Sequence, residues 1–249
     1  MVPTLKSLAD SGARSMQAVI LAGGLGIRLR PLTDRIPKPM IMVHGKPFLE
    51  YQLELLRRHG IMSVVLCVGH LGHIVKRHFG DGSGFGVDIR YSEDGQQLLG
   101  TAGALKRAEP LLDDEFFLTY CDSYLLLDYA AVMAHFRRQD RPALMVIYRN
   151  ENRYDRSNVA AADGFVKAYD KEKQTPEMVY INYGVSVLRR EALQYIPPGQ
   201  IYSQEEMYGR LIQERKLLAY ETDQRFYEVG SPDGLAEFTR LVASGVMIK

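Results

Sequence analysis

The apolar positions along the chain follow two rhythms. Continuous runs at Gln17–Ala22, Ser63–Val68, 116–120 and 143–148 are rich in Val, Ile, Leu and Phe, and Gly or Asp follows several of them. Runs of this length predict strands, and Ser63–Val68 in particular suits one buried on both faces of a parallel sheet. Between the runs, apolar residues recur at helical spacing. Pro47 suits the first turn of a helix running to His59, with Leu49, Leu53 and Leu56 on one face and Gly60 as its stop. A short helix near 71–79, one over 101–109 and an amphipathic one near 128–139 complete the pattern. A glycine-rich turn at Gly80–Gly86 and a strand at 87–91 precede the second of these. Strand and helix alternate through the first 150 residues, which predicts an α/β fold on a mainly parallel sheet.

The second half reads differently. Val159–Ala162, Asp163-Gly164 and Phe165–Tyr169 predict a β-hairpin with a tight turn. A strand over 179–188 follows. Ser203-Gln204-Glu205-Glu206 has the spacing of a capping box opening a helix to about residue 215. Short strands are expected at 217–220 and 225–229, and Ser231-Pro232 starts a last helix to about residue 242. Residues 1–15 read as a tail or short helix outside the core. No repeat or linker interrupts 16–249, which is expected to be a single domain with a smaller antiparallel portion at its back.

Composition narrows the partners. Thirty-one basic and thirty acidic residues in 249 leave a net charge of +1. No global field for nucleic acid or an anionic membrane is expected, and any basic site must be local. Cys67 and Cys121 sit in apolar runs and read as buried and reduced. No apolar run reaches the roughly 20 residues of a membrane span, and the first fifteen residues lack a signal-like apolar core. A soluble, cytoplasmic protein is expected, as a monomer or homodimer.

The candidate chemistry begins where the first strand breaks into Gly23-Gly24-Leu25-Gly26-Ile27-Arg28-Leu29-Arg30, followed by Pro37-Lys38-Pro39. Each proline is expected to hold its predecessor extended, giving a stiff segment around Lys38. Glycines bring bare N–H groups close to a ligand, and Arg28, Arg30 and Lys38 add positive charge, a combination suited to a polyphosphate. The loop is not a Walker motif, because Arg28-Leu29 stands where Lys-Ser/Thr is required. A dinucleotide fingerprint is disfavoured, since Leu29 occupies the third glycine position. The plainer alternative is a tight turn with surface arginines. Asp122 at a strand end suits Mg²⁺, or else caps its own turn. Glu228, leaving a strand before a capped helix, could instead serve that helix's dipole. Lys171 could hold a second phosphate or belong to a solvated turn, and Asn182 could bond hydroxyl groups. The histidines show no metal-ligand spacing, and acyl-transfer motifs are missing.

Together the stretches 21–29, Pro37-Lys38-Pro39, Leu99-Gly100-Thr101-Ala102-Gly103, Asp122, Asp170-Lys171, Asn182-Tyr183-Gly184 and Glu228-Val229-Gly230-Ser231-Pro232 resemble the sugar-1-phosphate nucleotidyltransferases (NDP-sugar pyrophosphorylases) in the family's order. The resemblance implies a Rossmann-like, glycosyltransferase-A-like fold with a small antiparallel sugar-binding portion. It implies an enzyme that condenses an NTP with a sugar 1-phosphate to give an NDP-sugar and pyrophosphate for bacterial glycan precursors, with a weaker likeness to the heptose and mannose 1-phosphate guanylyltransferase branch. By position, Arg28, Lys38 and Asp122 would be catalytic. Leu21, Ala22, Gly23, Gly24, Gly26, Gln97, Gly100 and Thr101 would join Arg28 and Lys38 around the nucleotide. Asp170, Lys171 and Asn182 would bind the sugar phosphate, and Asp122 with Glu228 would bind Mg²⁺. Tyr120-Cys121 before Asp122, Glu228 for the usual aspartate and Glu172 after Lys171 depart from the family pattern. A phosphocholine-type cytidylyltransferase and a non-catalytic nucleotide-binding relative are the competing readings.

Overall fold

The computed structural model describes residues 15–95 and 97–245. The expectation of a tail over residues 1–15 lies outside them, Ser15 apart. The strands are β1 (Gln17–Ala22), the short pair β2 (Met42–Val43) and β3 (Lys46–Pro47), β4 (Ser63–Val68), β5 (Asp88–Glu93), β6 (Glu115–Tyr120), β7 (Ser123–Leu125) and β8 (Ala143–Arg149). The back half adds β9 (Val159–Ala162), β10 (Phe165–Tyr169), β11 (Tyr180–Arg189), β12 (Leu217–Thr222) and β13 (Phe226–Glu228). The helices are α1 (Phe48–Arg58), α2 (Gly72–Phe79), α3 (Gly100–Arg107), α4 (Tyr129–Arg137), α5 (Gln204–Gln213) and α6 (Pro232–Ala243).

Nine strands form one mixed sheet in the order β5-β4-β1-β6-β11-β8-β12-β10-β9. The first four are parallel. β11 then runs antiparallel to β6 on one side and to β8 on the other. Every residue of β1 is buried, and successive side chains serve opposite faces. Ala18, Ile20 and Ala22 join one apolar cluster, and Val19 and Leu21 the other. That is the period-2 geometry of a strand covered on both sides.

Register decides where the chemistry lies. Leu21 stands opposite both Cys67 and Tyr120, and Val68 opposite Glu93. Gly23, Gly69, Asp94 and Asp122 therefore leave the sheet at one edge, the carboxyl ends of the parallel strands, where open α/β sheets collect ligands. Buried Gln52 on α1 steadies this edge by donating its amide to the carbonyls of Tyr120 and Ser123 at 2.8 and 2.6 Å. The hairpin turn has Asp163 at φ 55° and Gly164 at φ 74°, the positive pair such turns require. The capping box closes from both sides, Glu206 N–H to Ser203 Oγ and Ser203 N–H to the Glu206 carboxylate.

Three features differ from expectation. Lys38–Met40 is a 3₁₀ turn and not an extended segment. Met40 N–H bonds the Pro37 carbonyl at 2.8 Å and Ile41 N–H the Lys38 carbonyl at 3.1 Å, and these two bonds outweigh the bias imposed by Pro39. Ser123–Leu125 is an unforeseen strand paired antiparallel with β13. Arg190–Tyr195 forms a further 3₁₀ segment. Among the described residues, no helix is long and apolar enough to cross a membrane.

Candidate active site

The glycines of the first loop divide the work. Gly26 sits at φ +64°, and a Cβ there would lie 2.8 Å from Thr33 Cγ2, while its carbonyl accepts from Thr33 Oγ1 and Leu29 N–H. It needs to be glycine for the fold. Gly23 packs against Gly69 and Asp94, and its carbonyl accepts from His70 N–H at 3.3 Å. Gly24 is different. It is exposed, nothing lies within 4 Å of a Cβ built on it, and it lines a cavity of about 240 Å³. The fold makes no steric demand on this position, and the open space around it adjoins the cavity.

Leu21, Leu98 and Ala104 give that cavity apolar walls, and Lys38, Asp94 and Asp122 its charged groups. Ala22 stays in the buried strand, and Gln97 is exposed and outside the lining. Gly100 and Thr101 reach the cavity but also dock α3 on the segment before α5. Gly100 has φ +74°, and a Cβ would meet the Tyr202 carbonyl oxygen at 2.7 Å. That carbonyl accepts from Ala102 and Gly103 N–H, and Thr101 Oγ1 accepts from Gln204 N–H at 2.8 Å.

A second cavity of about 380 Å³ adjoins the first. Arg28, Asp155, Arg156, Lys171, Asn182 and Glu228 line it, and Tyr120 and Asp122 belong to both cavities. The backbone explains how Glu228 reaches Asp122 from so far along the chain: β13 pairs with β7, Glu228 stands opposite Ser123, and Val229 N–H bonds the Asp122 carbonyl at 2.8 Å. A Cβ on Gly230 would lie 2.7 Å from Asp122 Oδ2, 2.8 Å from Glu228 Oε2 and 2.9 Å from an Arg28 Nη, so the three side chains surround one point. Glu228 also accepts from Gly230 N–H and from the Ser231 hydroxyl at the start of α6. Its ligand and helix-partner readings are therefore compatible. Lys38 Nζ lies 2.9 Å from Asp122 Oδ2, with both side chains 17% exposed. Burial pushes the Lys38 ammonium down, yet the Asp122 carboxylate outweighs it and the net shift is upward. Lys38 is a fixed cation here. Asp122 and Glu228 bring two hard oxygen donors to this seam, the kind Mg²⁺ takes, but among the described residues no group of three or more His, Cys, Asp or Glu side chains gathers as a metal site.

A family model described as nucleotidyl transferase matches residues 17–244. The chain belongs to that family. A D-glycero-α-D-manno-heptose 1-phosphate guanylyltransferase from Campylobacter jejuni is 30% identical over 224 residues, covering 90% of this chain and 98% of that one. A UTP–glucose-1-phosphate uridylyltransferase from Synechocystis is 34% identical over 203 residues, covering 75% of this chain and 52% of that one, so the chain spans about half of that relative's length. The solved structure of the Yersinia pseudotuberculosis protein HddC with GMP-PN superposes with a TM-score of 0.76 at 24% identity, covering 91% of this chain and 99% of that one. The fold is the glycosyltransferase-A-like nucleotidyltransferase fold, and the chain is a nucleotidyltransferase of the sugar-1-phosphate kind.

Among the remaining expected site residues of this nucleotidyltransferase, Lys171 lines the second cavity with its Nζ 3.9 Å from Glu205, and Asn182 lines it beside the Tyr169 hydroxyl. Asp170 does not line it. Its Oδ1 accepts from the N–H groups of Glu172 and Lys173 at 2.8 and 2.7 Å, an Asx-type turn that holds its carboxyl below the usual range. Arg30 pairs with Asp34 outside both cavities. Sequence reasoning missed Asp94, Asp155, Arg156 and Asn158. Asp94 is 7% exposed, and burial pushes its carboxyl up, partly offset by Leu99 N–H and then Arg107. Its position at the end of β5 was the available signal, because each of the other three parallel strands also leads into a candidate residue or a close glycine. The other three sit in a polar loop whose sequence carries no periodic signal.

Proposed function

We propose that the first cavity holds an NTP and the second a sugar 1-phosphate, joined at Asp122 to give an NDP-sugar and pyrophosphate. The observation that carries this reading is that Asp122 walls both cavities while paired to Lys38. A sugar phosphate oxygen forms the new bond to the α-phosphorus, and the bond from that phosphorus to the β-phosphate oxygen breaks, releasing pyrophosphate. The phosphate monoester, with a second pKa near 6, is already largely dianionic at pH 7. Catalysis then needs alignment of two anions and compensation of charge more than a proton acceptor. Gly24 N–H and Lys38 hold the triphosphate. Arg28, which lines the second cavity beside Asp122 and not the first, meets the reacting phosphates at the seam. Lys171 draws in the sugar phosphate, and Asn182 and Asn158 bond sugar hydroxyls. Asp122 and Glu228 would hold Mg²⁺, which would supply further charge neutralisation at the triphosphate.

Each NTP is incubated with Mg²⁺ and a panel of sugar 1-phosphates plus choline phosphate, and pyrophosphate is measured. The expected result is release that needs both an NTP and a sugar 1-phosphate. Release with choline phosphate alone assigns the chain to the cytidylyltransferase reading, which the cations Arg28, Arg156 and Lys171 around the second cavity oppose. NTP binding without release from any pair refutes catalysis.

A further inference from the structure

The loop between β8 and β9 carries Asp155, Arg156 and Asn158 into the second cavity. Two of its residues, Glu151 and Asn152, sit in the left-handed region at φ 49° and 60°. Buried Asn150 and Ser157 brace it from within: Asn150 Nδ2 donates to the Asp155 carbonyl at 2.6 Å, and Ser157 N–H to Asn152 Oδ1 at 2.8 Å. Tyr154 ties it to the other side of the site, where its ring meets Phe226 of β13 edge-on with centroids 6.1 Å apart. The Arg225 guanidinium stacks on the Tyr154 ring, 3.5 Å from its centroid, and grips both carboxylate oxygens of Glu237 at 2.9 Å. Arg225 immediately precedes β13, which ends at Glu228. Glu237 lies on α6, whose N-cap Ser231 and the Gly230 before it donate to the Glu228 carboxylate. None of the three residues lines either cavity.

We propose that Tyr154, Arg225 and Glu237 form a strap that positions the sugar-phosphate subsite relative to Glu228, and that Arg225 is its central positioning residue. The inference rests on the two-cavity reading above. A planar guanidinium laid over an aromatic face while one of its Nη atoms donates to both Glu237 oxygens has a preferred orientation that the point charge of lysine cannot reproduce. The strap therefore fixes the loop as a rigid wall of the sugar side and leaves the nucleotide cavity untouched.

The test uses Tyr154→Leu, Arg225→Met, the double variant and Tyr154→Phe, which keeps the aromatic face. Three quantities are read: KM for the sugar 1-phosphate, calorimetric affinity for the NTP, and hydrogen exchange over residues 150–158. Tyr154→Leu and Arg225→Met should raise the sugar-phosphate KM by about 3- to 30-fold and speed exchange in the loop. NTP affinity should stay within about twofold, and the double variant should cost less than the two singles combined, because both singles remove the Tyr154–Arg225 stack. Tyr154→Phe should resemble wild type. The strap is refuted if loop exchange and KM are unchanged, if NTP affinity falls in parallel, or if Tyr154→Phe behaves like Tyr154→Leu. Faster loop exchange in a protein whose wild type releases no pyrophosphate with any sugar 1-phosphate would sink the two-cavity reading instead, and the assigned role of the strap with it.

Discussion

Gly24 and Gly26 lie two residues apart, and alanine at each should produce opposite phenotypes. Gly26 occupies the left-handed region with Thr33 Cγ2 2.8 Å from a prospective Cβ. An L-residue there costs about 1–2 kcal/mol in backbone energy, and displacing the Thr33 methyl brings the total to roughly 2–3 kcal/mol. For a chain of this size that lowers Tm by roughly 4–12 °C. Gly24 has open space around its prospective Cβ and no positive φ, so Gly24→Ala should change stability by less than about 0.5 kcal/mol. Its effect should appear in binding. A methyl group pointing into the cavity keeps a phosphate from the backbone N–H, and a lost charge-assisted hydrogen bond of about 1.5–3 kcal/mol weakens NTP binding roughly 10- to 150-fold. The chain has no tryptophan, so the assay is calorimetric titration with Mg·NTP alongside thermal melts. The reasoning is wrong if Gly24→Ala binds NTP like wild type, or if it melts as early as Gly26→Ala.

Other substitutions probe the rest of the site. Asp122→Asn and Lys38→Ala should each cut pyrophosphate release by about 10²-fold or more in protein that still folds, with some loss of Tm because each splits a largely buried ion pair, and wild-type turnover in Asp122→Asn would remove this residue from the mechanism. Burial holds the Asp94 carboxyl above its unfolded value near 4, so folding favours the protonated form, and stability falls as pH rises from the unfolded value through the folded one. Asp94→Asn should therefore raise Tm at neutral pH and leave it unchanged at about pH 3, and an equal shift at both would refute the assignment. Gly100→Ala, which drives a methyl onto the Tyr202 carbonyl, should destabilise more than Gly199→Ala, which has similar φ but open space; equal melts would show that the α3 contact is dispensable.

The parallel half was legible because buried strands and one-faced helices leave periodic signals. β1 begins and ends as expected, and so does β4. The Ser203 capping box was equally readable, since its partners lie within one turn. What escaped depends on contacts far apart in sequence. Ser123–Leu125 becomes a strand only because Phe226–Glu228 lies beside it. Asp94 and Asp170 illustrate the same limit from opposite sides. Both are aspartates beside a strand end, yet one turns into a cavity and the other bonds amides two and three residues on. Local sequence does not distinguish them, because the choice depends on which neighbouring strand ends crowd the carboxylate.

β6 is the last strand of the parallel half and the first with an antiparallel neighbour. On the β1 side its end faces the first cavity, and on the β11 side the second one, so Asp122 stands where the parallel and antiparallel parts of the sheet meet. Substitutions in β10 and β11 can reshape the wall of the second cavity without disturbing hydrogen bonds among β5, β4 and β1. A chain built this way can alter one cavity while the other stays constant, one half of the sheet serving as chassis and the other as a replaceable fitting.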